Sequence, residues 1–400
     1  LLFLARGAFQ PYIFPLFEHL GGLSYGQIAG LLNGYVLAQS VCAPLAGWFT
    51  DRTSIRVALS TSILFGLSGF LMIASGPGFL LSVVAVFMTG LAFVLGKIAL
   101  NTILVLQSSH EILRRSVAKR ATLLNMGSFL GNSLALQVTA RFGYGTHAVV
   151  LGLLYLPLSI GLGAAPRRGE EVEVKPQGLH NVKQFLRNKV FVSDALRRFA
   201  MVLPYGCWGT VIPKYLIDEY HSNTPVWIVS LTSVCTTIVG AHFLAVYLSA
   251  KLYKRGFKWE WWSMTSVLLY CSGLLLLVFA GHRWMLPVAI IVFICGEVLM
   301  TPCFDETAKK HSKASQMGTC MGLLHLVDGM GRMLGAAFAL AVYGALRNSS
   351  FRSYYWPLVT VVFLIVSSAL HGVARRIAGQ QLSNETLITT ACEESVTESL

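Results

Sequence analysis

Charged residues are scarce in this chain. They make up 12% of its 400 residues, while hydrophobic residues make up 54%. Soluble proteins carry about 25% charged residues, and a soluble chain of this length forms domains that each need a charged surface. The shortage therefore excludes a soluble globular enzyme, a disordered protein and a secreted disulfide scaffold. It indicates a protein that crosses a membrane many times.

Motifs for metals, disulfides and nucleotides are also lacking. The eight cysteines fall mostly in apolar runs, and the sequence has no CxxC pair or Cys/His cluster. The stretch from Gly90 to Lys97 departs from the phosphate-binding GxxxxGK[ST] loop, because five residues separate its glycines and no Ser/Thr follows. We therefore expect no metal, no cofactor and no ATP-driven pump. The apolar run at Leu1 lacks the charged leader of a signal peptide, and we expect a short segment to precede it.

Twelve apolar stretches are long enough to cross a bilayer as helices, which requires roughly 20 residues each. They lack the alternation that is typical of barrel strands, so we predict an all-α polytopic membrane protein. With approximate ends, these spans cover 1–20, 26–50, 57–75, 80–107, 121–140, 146–165, 190–217, 225–250, 261–280, 284–304, 316–346 and 354–374.

One connection marks a domain boundary. Residues 166–189 are charged and contain Pro176 and Gly178, whereas most other connections are short. This central loop separates a predicted N-terminal bundle, 1–165, from a C-terminal bundle, 190–378. The polar residues 379–400 form a tail that we expect to be disordered.

Lysine and arginine are distributed unevenly among the connections. Of the 31, 23 follow even-numbered spans, lie in the central segment up to Arg198, or are Arg375 and Arg376; only five follow odd-numbered spans. The positive-inside rule therefore predicts that both termini and the central loop are cytoplasmic, with the protein in the cell membrane. This topology, together with anionic lipid, explains the net charge of +13. We expect no nucleic-acid partner.

The two halves of the chain are similar at an offset of about 200 residues. Gly96-Lys97 aligns with Gly296-Glu297, and Gly131 aligns with Gly331. A shared offset indicates duplication, which predicts two pseudo-symmetric six-helix bundles, the parallel repeat of some secondary transporters.

The connection after span 2 carries a motif. It reads GWFTDRTSIR from Gly47 to Arg56 and resembles the G-x-x-x-D-R-x-G-x-R signature of the major facilitator superfamily, with Ser54 in place of the second glycine. Twelve spans and a long central loop extend the resemblance over the whole chain. It implies a transporter rather than an enzyme, in which Gly47, Asp51, Arg52 and Arg56 form a conformational latch. Asp51 can accept hydrogen bonds from a neighbouring helix N-terminus.

Five of the ionisable residues inside the predicted spans are candidates for a functional role. Each costs about 2.5–3.5 kcal/mol at the bilayer centre, so they must face a cavity or one another. They are Arg6, Lys97, Glu297, Asp328 and Arg332. In the family that the motif resembles, spans 1, 4, 7 and 10 line the central cavity. We therefore expect Glu297 to carry the coupling proton, with Lys97 as its counter-charge or as an anchor for an anion. A permanent ion pair is the alternative.

Span 11 carries Asp328 and Arg332 one helical turn apart. We expect them either to pair along the helix or to form a gate or relay with His325, which could titrate near neutral pH. Arg6 is the best candidate to bind an anionic group. The candidate substrate contacts are polar residues of cavity-type helices, namely Gln10, Asn33, Gln39, Asn101, Asn125 and Asn132.

These features predict a monomeric secondary transporter that moves a small organic solute through the lipid bilayer by alternating access, coupled to protons. Two directions stay open: symport import of an organic acid, sugar or similar metabolite, and antiport export of drugs, siderophores or metabolites. The first span, RGAFQPYIFPLF from Arg6 to Phe17, resembles family branches that include proton-coupled sugar and aromatic-acid symporters. An integral membrane enzyme or a receptor is a remote alternative.

Overall fold

The computed structural model of the protein describes residues 2–9, 12–107, 110–160, 180–208, 211–220, 259–279 and 284–397, with Cys235 and His282. The regular secondary structure of these residues is helical, which confirms the all-α prediction for this part of the chain. The helices are α1 Leu2–Phe9, α2 Ile13–Gly21, α3 Tyr25–Val41, α4 Ala43–Arg52, α5 Ile55–Ala74, α6 Phe79–Gln107, α7 His110–Leu153, α8 His180–Arg187, α9 Lys189–Tyr205, α10 Val211–Tyr220, α11 Trp259–Leu276, α12 Met285–His311, α13 Met317–Leu346 and α14 Tyr355–Thr397.

Six helical segments of the described chain are long and apolar enough to cross a membrane. They are Ile55–Ala74, Phe79–Leu104, Trp261–Phe279, Met285–His311, Met317–Leu346 and Arg352–Gln380. Other predicted spans correspond to pairs of shorter helices, α1 with α2, α3 with α4, and α9 with α10. The predicted eighth span, 225–250, lies outside the described residues apart from Cys235. The backbone of α14 stays helical to Thr397, through most of the polar tail.

Local sequence explains where the helices break. Pro44 lies in the first turn of α4 and has no N–H to donate to the preceding turn, so a new helix begins after Cys42. Gly143 has a φ of 80° and interrupts α7 between the predicted spans 5 and 6. Ser54 caps α5, since its hydroxyl accepts a hydrogen bond from the backbone N–H of Val57 at 3.3 Å. This capping bond accounts for serine where the motif has glycine.

Three apolar cores hold the chain together. One is built by the N-half, α1 to α7, and includes Phe9 and Phe70. A second is built by the C-half, α9 to α14, and includes Tyr270 and Trp356. The third draws on both halves, with buried side chains of α4 and α6 packed against those of α12 and α13, among them Met321. The third core is therefore part of the contact between the halves.

The two halves repeat one helix contact. In the N-half, Ser62 of α5 donates a hydrogen bond to the carbonyl oxygen of Ala92 on α6, at 2.7 Å. In the C-half, Ser266 of α11 donates to the carbonyl oxygen of Gly296 on α12, also at 2.7 Å. Each residue of the second pair follows its counterpart by 204 residues. The match supports a duplication of this helix pair.

This register corrects one detail of the sequence alignment. At an offset of 204, the counterpart of Glu297 is Phe93, and the counterpart of Lys97 is Thr301. Lys97 and Glu297 are therefore one helical turn out of register, and they are not equivalent positions of the repeat. The weak landmarks of the sequence could not separate an offset of 200 from one that differs by a single turn.

Candidate functional site

Asp51 connects the two halves at one end of the molecule, which we call the Asp51 end. Its carboxylate Oδ1 accepts a hydrogen bond from the backbone N–H of Gly318 at 2.7 Å. Its Oδ2 accepts two more at 2.6 Å, from the backbone N–H and the hydroxyl of Thr319. Gly318 and Thr319 lie in the first turn of α13, where N–H groups have no partner within the helix. Asp51 therefore caps a helix of the opposite half.

Burial and hydrogen bonding act in opposite directions on this carboxyl group. Burial raises the pKa of Asp51, the bonds from Thr319 and Gly318 lower it, and burial prevails, so the pKa lies at about 6. Asp51 follows the predicted span 26–50 and lies at the C-terminal end of α4. The carboxylate that joins the halves therefore titrates in the mildly acidic range.

Small residues let α4 and α13 approach until their backbones touch. A Cβ on Gly47 would overlap the carbonyl oxygen of Gly318, and one on Gly322 would overlap that of Ala43. Further along α13, a Cβ on Gly329 would overlap the hydroxyl oxygen of Ser40 on α3. The halves are thus in direct contact over the first turns of α13, a packing that only glycine permits at these positions.

The other residues of the predicted latch lie beside this contact. The guanidinium of Arg52 lies 5.2 Å from the ring centroid of Trp48, a cation–π distance. Arg56 is the second residue of α5 and is partly buried. Gly47 and Asp51 contact α13 directly.

A second site, inside the C-half, is organised around Asp328. Arg198 of α9 donates to both carboxylate oxygens of Asp328, from Nε at 2.6 Å and from Nη2 at 2.8 Å. Its Nη1 donates to the carbonyl oxygen of Met300 at 2.9 Å. The two side chains are each 7% exposed. Two parallel bonds between buried groups make a strong and geometrically specific ion pair.

Arg198 is the residue that sequence reasoning missed. Its place in the sequence puts it among the cytoplasmic loop cations, but it lies within α9 and is buried. A signal was present, since Arg198 falls inside the predicted span 190–217. The expected pairing of Asp328 with Arg332 along one helix is secondary, because the Arg332 Nη2 lies 4.0 Å from the Asp328 Oδ2.

Glu297 of α12 lies between groups of three other helices. Its Oε1 accepts a hydrogen bond from the hydroxyl of Tyr205 on α9 at 3.0 Å. Arg332 of α13 places its guanidinium 4.4 Å from the ring centroid of the same tyrosine. Arg332 and Arg6 of α1 both interact electrostatically with Glu297. The carboxylate therefore faces arginines of both halves.

The N-half contributes a matching group of side chains. The guanidinium of Arg6 lies 4.9 Å from the ring centroid of Phe93, and Arg6 interacts electrostatically with Tyr35 of α3. Tyr35 in turn interacts with the side chain of Gln39. Lys97 of α6 interacts electrostatically with Asp328. Opposite charges of the two halves thus face one another across the interface.

These ionisable residues form what we call the central cluster. Four members are cationic and two are anionic, so its formal charge is positive when all are ionised. The members are Arg6, Lys97, Arg198, Glu297, Asp328 and Arg332.

The remaining candidate residues fall into two groups. His325 is buried, with its ring 4.4 Å from that of Phe304 between centroids, and Arg198 lies 5.2 Å from the same Phe304 ring. Asn101 is buried in α6. Four candidates have side chains outside the described residues, namely Gln10, Asn33, Asn125 and Asn132. Among the residues that the structure describes, no group of three or more His, Cys, Asp or Glu could hold a metal ion.

Known proteins share this architecture. The human organic anion transporter MFSD10 (TETRAN) superposes with a TM-score of 0.63 at 14% sequence identity, over 92% of this chain and 88% of that one. The proton:xylose symporter XylE superposes with a TM-score of 0.68 at 10% identity, over 92% and 94%. Likeness at this level of identity concerns the fold alone.

Sequence comparison gives the family. An uncharacterized MFS-type transporter of Bacillus subtilis (strain 168), YfnC, is 30% identical over 81 residues, a match that spans 20% of this chain and 20% of that relative. The family model of the Major Facilitator Superfamily matches residues 1–336, most of the chain. The chain therefore belongs to the major facilitator superfamily and is an integral membrane transporter rather than an enzyme.

Proposed function

We propose that this protein is a secondary active transporter that moves a small organic solute across the cell membrane by alternating access, in symport with protons. One observation carries the proposal: the carboxyl group of Glu297 lies between Tyr205 and arginines of both halves. A carboxyl group can gain and lose a proton, and this one does so where the halves meet.

Protonation of Glu297 changes the forces between the halves. The ionised carboxylate attracts Arg6 of the N-half and Arg332 of the C-half, whereas the neutral acid attracts neither strongly. A group that interacts differently in two conformations shifts the balance between them when its charge changes. Proton binding at Glu297 can therefore be linked to the movement of the halves.

Alternating access also requires a contact between the halves that breaks and re-forms, and the Asp51 end provides such a contact. The hydrogen bonds of Asp51 cross from α4 to α13 and exist only while the halves touch there. We assign this end to the cytoplasm because the basic connections lie on its side, as the positive-inside rule requires. Both termini are then cytoplasmic, and a monomer suffices for the cycle.

The charge of the central cluster bears on the kind of solute. Its four cationic and two anionic members favour an anionic or neutral solute over a cationic drug. Antiport export of drugs, siderophores or metabolites is the second candidate, and the surplus of positive charge weighs against cationic cargo. An organic anion transporter and a proton:xylose symporter share the fold, so proton coupling and anionic cargo are both compatible with it.

Reconstitution tests this function. A thermal-shift screen of the purified chain against organic acids, sugars, siderophores and cationic drugs first selects a stabilising solute, whose uptake into proteoliposomes is then driven by a pH gradient. We expect the Glu297→Gln variant to lose gradient-driven accumulation while it still exchanges labelled for unlabelled solute. Glu18→Gln, the same change at an exposed position of α2, is the matched control. Undiminished accumulation by Glu297→Gln would remove Glu297 from the coupling mechanism.

A further inference from the structure

We infer that the solute is a small organic anion, held between Arg6 of the N-half and Arg332 of the C-half, and that it competes with Glu297 for these two guanidinium groups. The inference rests on the proposed function, because it names the class of solute that the transporter carries. The observations that support it are the packing of the two arginines, the unused donors near them, and the charge balance around Glu297.

Both arginines lie over aromatic rings. Arg6 lies over Phe93 at 4.9 Å, and Arg332 lies over Tyr205 at 4.4 Å. A guanidinium held over a ring recognises planar acceptors such as carboxylates through the N–H groups at its edge. The rings also fix the two arginines in orientation, which lowers the entropy cost of binding. An organic anion with an apolar body can contact the same rings.

Unused donors occur in the same region. The Nε of Arg332 is buried and has no hydrogen-bond acceptor within the described part of the chain, and the same holds for the Nε2 of Gln39. Buried polar groups in native proteins almost always have a partner. Gln39 is connected to Arg6 through Tyr35. Among the described residues, one buried donor from each half thus lacks an acceptor, and an anion bound between the halves provides one.

Because Arg198 and Asp328 pair with each other, the region around Glu297 is left positively charged. Arg198 and Asp328 satisfy each other through two short hydrogen bonds. Arg6 and Arg332 both interact electrostatically with the Glu297 carboxylate, and these three groups carry a net charge of one positive unit when all are ionised. Protonation of Glu297 removes one negative charge from this set, and a singly charged anion restores it.

Competition between the anion and Glu297 couples the solute to the proton. While Glu297 is ionised, its carboxylate attracts Arg6 and Arg332. Once Glu297 is protonated, this attraction is lost and the anion can bind both arginines. Anion binding must then favour protonation to the same degree that protonation favours anion binding. One proton and one anionic charge enter together, so the loaded and empty clusters carry the same net charge. The halves can therefore rearrange at a similar electrostatic cost whether the central cluster is loaded or empty.

The neighbours of Glu297 leave it as the group that changes charge. Tyrosine and arginine hold their protons near neutral pH. Titratable and charged groups that face Glu297 from the packed helices include Tyr205 on α9, Tyr270 on α11, Arg332 on α13 and Arg6 on α1.

Equilibrium binding of benzenesulfonate to the purified full-length chain tests the inference. This probe stays anionic across the range used, so any pH dependence comes from the protein, and benzenesulfonamide is a neutral probe of nearly the same shape. We expect benzenesulfonate to bind about tenfold more tightly at about pH 5.5 than at about pH 7.5, and benzenesulfonamide to show no such preference.

Three variants test which residues produce the pH-dependent binding of benzenesulfonate. Glu297→Gln imitates the protonated acid, so it should raise benzenesulfonate affinity at about pH 7.5 by about tenfold and abolish the pH dependence. Arg332→Gln and Arg6→Gln should each weaken binding by at least about tenfold at either pH. Since Glu297→Gln keeps both arginines, it tests the inference even where an arginine variant does not fold.

Two results would overturn the inference. One is equal affinity for benzenesulfonate and benzenesulfonamide, or binding of neither, in Glu297→Gln. The other is an unchanged affinity for benzenesulfonate when either arginine is replaced. Gradient-driven transport of a neutral solute, alongside either result, would leave the proposed proton coupling intact and refute only the anionic class of the solute.

Discussion

The raised pKa of Asp51 predicts that acidification strengthens the contact between the halves. With the halves in contact its pKa is about 6, and once the halves part and water reaches it, the pKa returns to about 3.9. Between these two values the closed state holds a proton that the open state lacks. Lowering the pH through this window therefore favours closure, and raising it through about 6 removes the advantage.

The size of the effect follows from the shift. Each pH unit below about 6 stabilises the closed state by about 1.4 kcal/mol, or tenfold, until the open state also takes up a proton near pH 4. At about pH 5 the ratio of closed to open molecules should thus be roughly tenfold higher than at about pH 7. Asp51→Asn does not titrate, so this part of the pH response should vanish in the variant.

Distance measurements between spin labels provide the assay. Val57→Cys on α5 and Lys313→Cys before α13 place labels on exposed positions of opposite halves at the Asp51 end, in a chain whose native cysteines have been replaced. The short-distance population should grow on acidification in the parent and grow less in Asp51→Asn. Glu18→Gln, a change to an exposed carboxylate, should respond like the parent. An identical pH response in Asp51→Asn, or growth of the long-distance population on acidification, would refute the reasoning.

Two further predictions concern packing. Arg198→Leu leaves Asp328 buried without its main partner and should destabilise the protein by about 3–5 kcal/mol, measured as a lower melting temperature. The double variant Arg198→Leu/Asp328→Leu should regain most of the lost stability. An unchanged melting temperature in the single variant would contradict the buried ion pair. Gly318→Leu should hold the Asp51 end apart in the spin-label assay, because its side chain meets the α4 backbone. Gly344→Leu, where a Cβ meets open space, is its control, and equal distances in the two would contradict the close contact of α4 and α13.

The helical fold could be predicted from the sequence because membrane spans follow local rules. Long apolar runs identify helices such as α6 and α12 regardless of their surroundings. Predicted spans that consist of two short helices depend on finer signals, such as Pro44, whose missing N–H ends one helix and begins another. The register of the repeat requires contacts across helices, which the serine hydrogen bonds of Ser62 and Ser266 supply and residue spacing alone does not.

The site was predictable only in part. Its members were found because an ionisable residue in an apolar run is costly and therefore conspicuous. The partners of these residues were not predicted. Asp328 pairs with Arg198, 130 residues away along the chain, whereas the spacing of Asp328 and Arg332 indicated a pair within one helix. Tyr205, which donates to Glu297, carries no charge in its neutral form, so its position in an apolar helix gave no such signal.

Proton uptake during anion binding tests the central claim most directly. Titration calorimetry with benzenesulfonate, repeated in two buffers of different ionisation enthalpy, counts the protons that the purified chain takes up at about pH 7.5. We expect uptake approaching one proton per bound anion for the parent chain and none for Glu297→Gln. Binding without proton uptake in the parent, or equal uptake in Glu297→Gln, would contradict it.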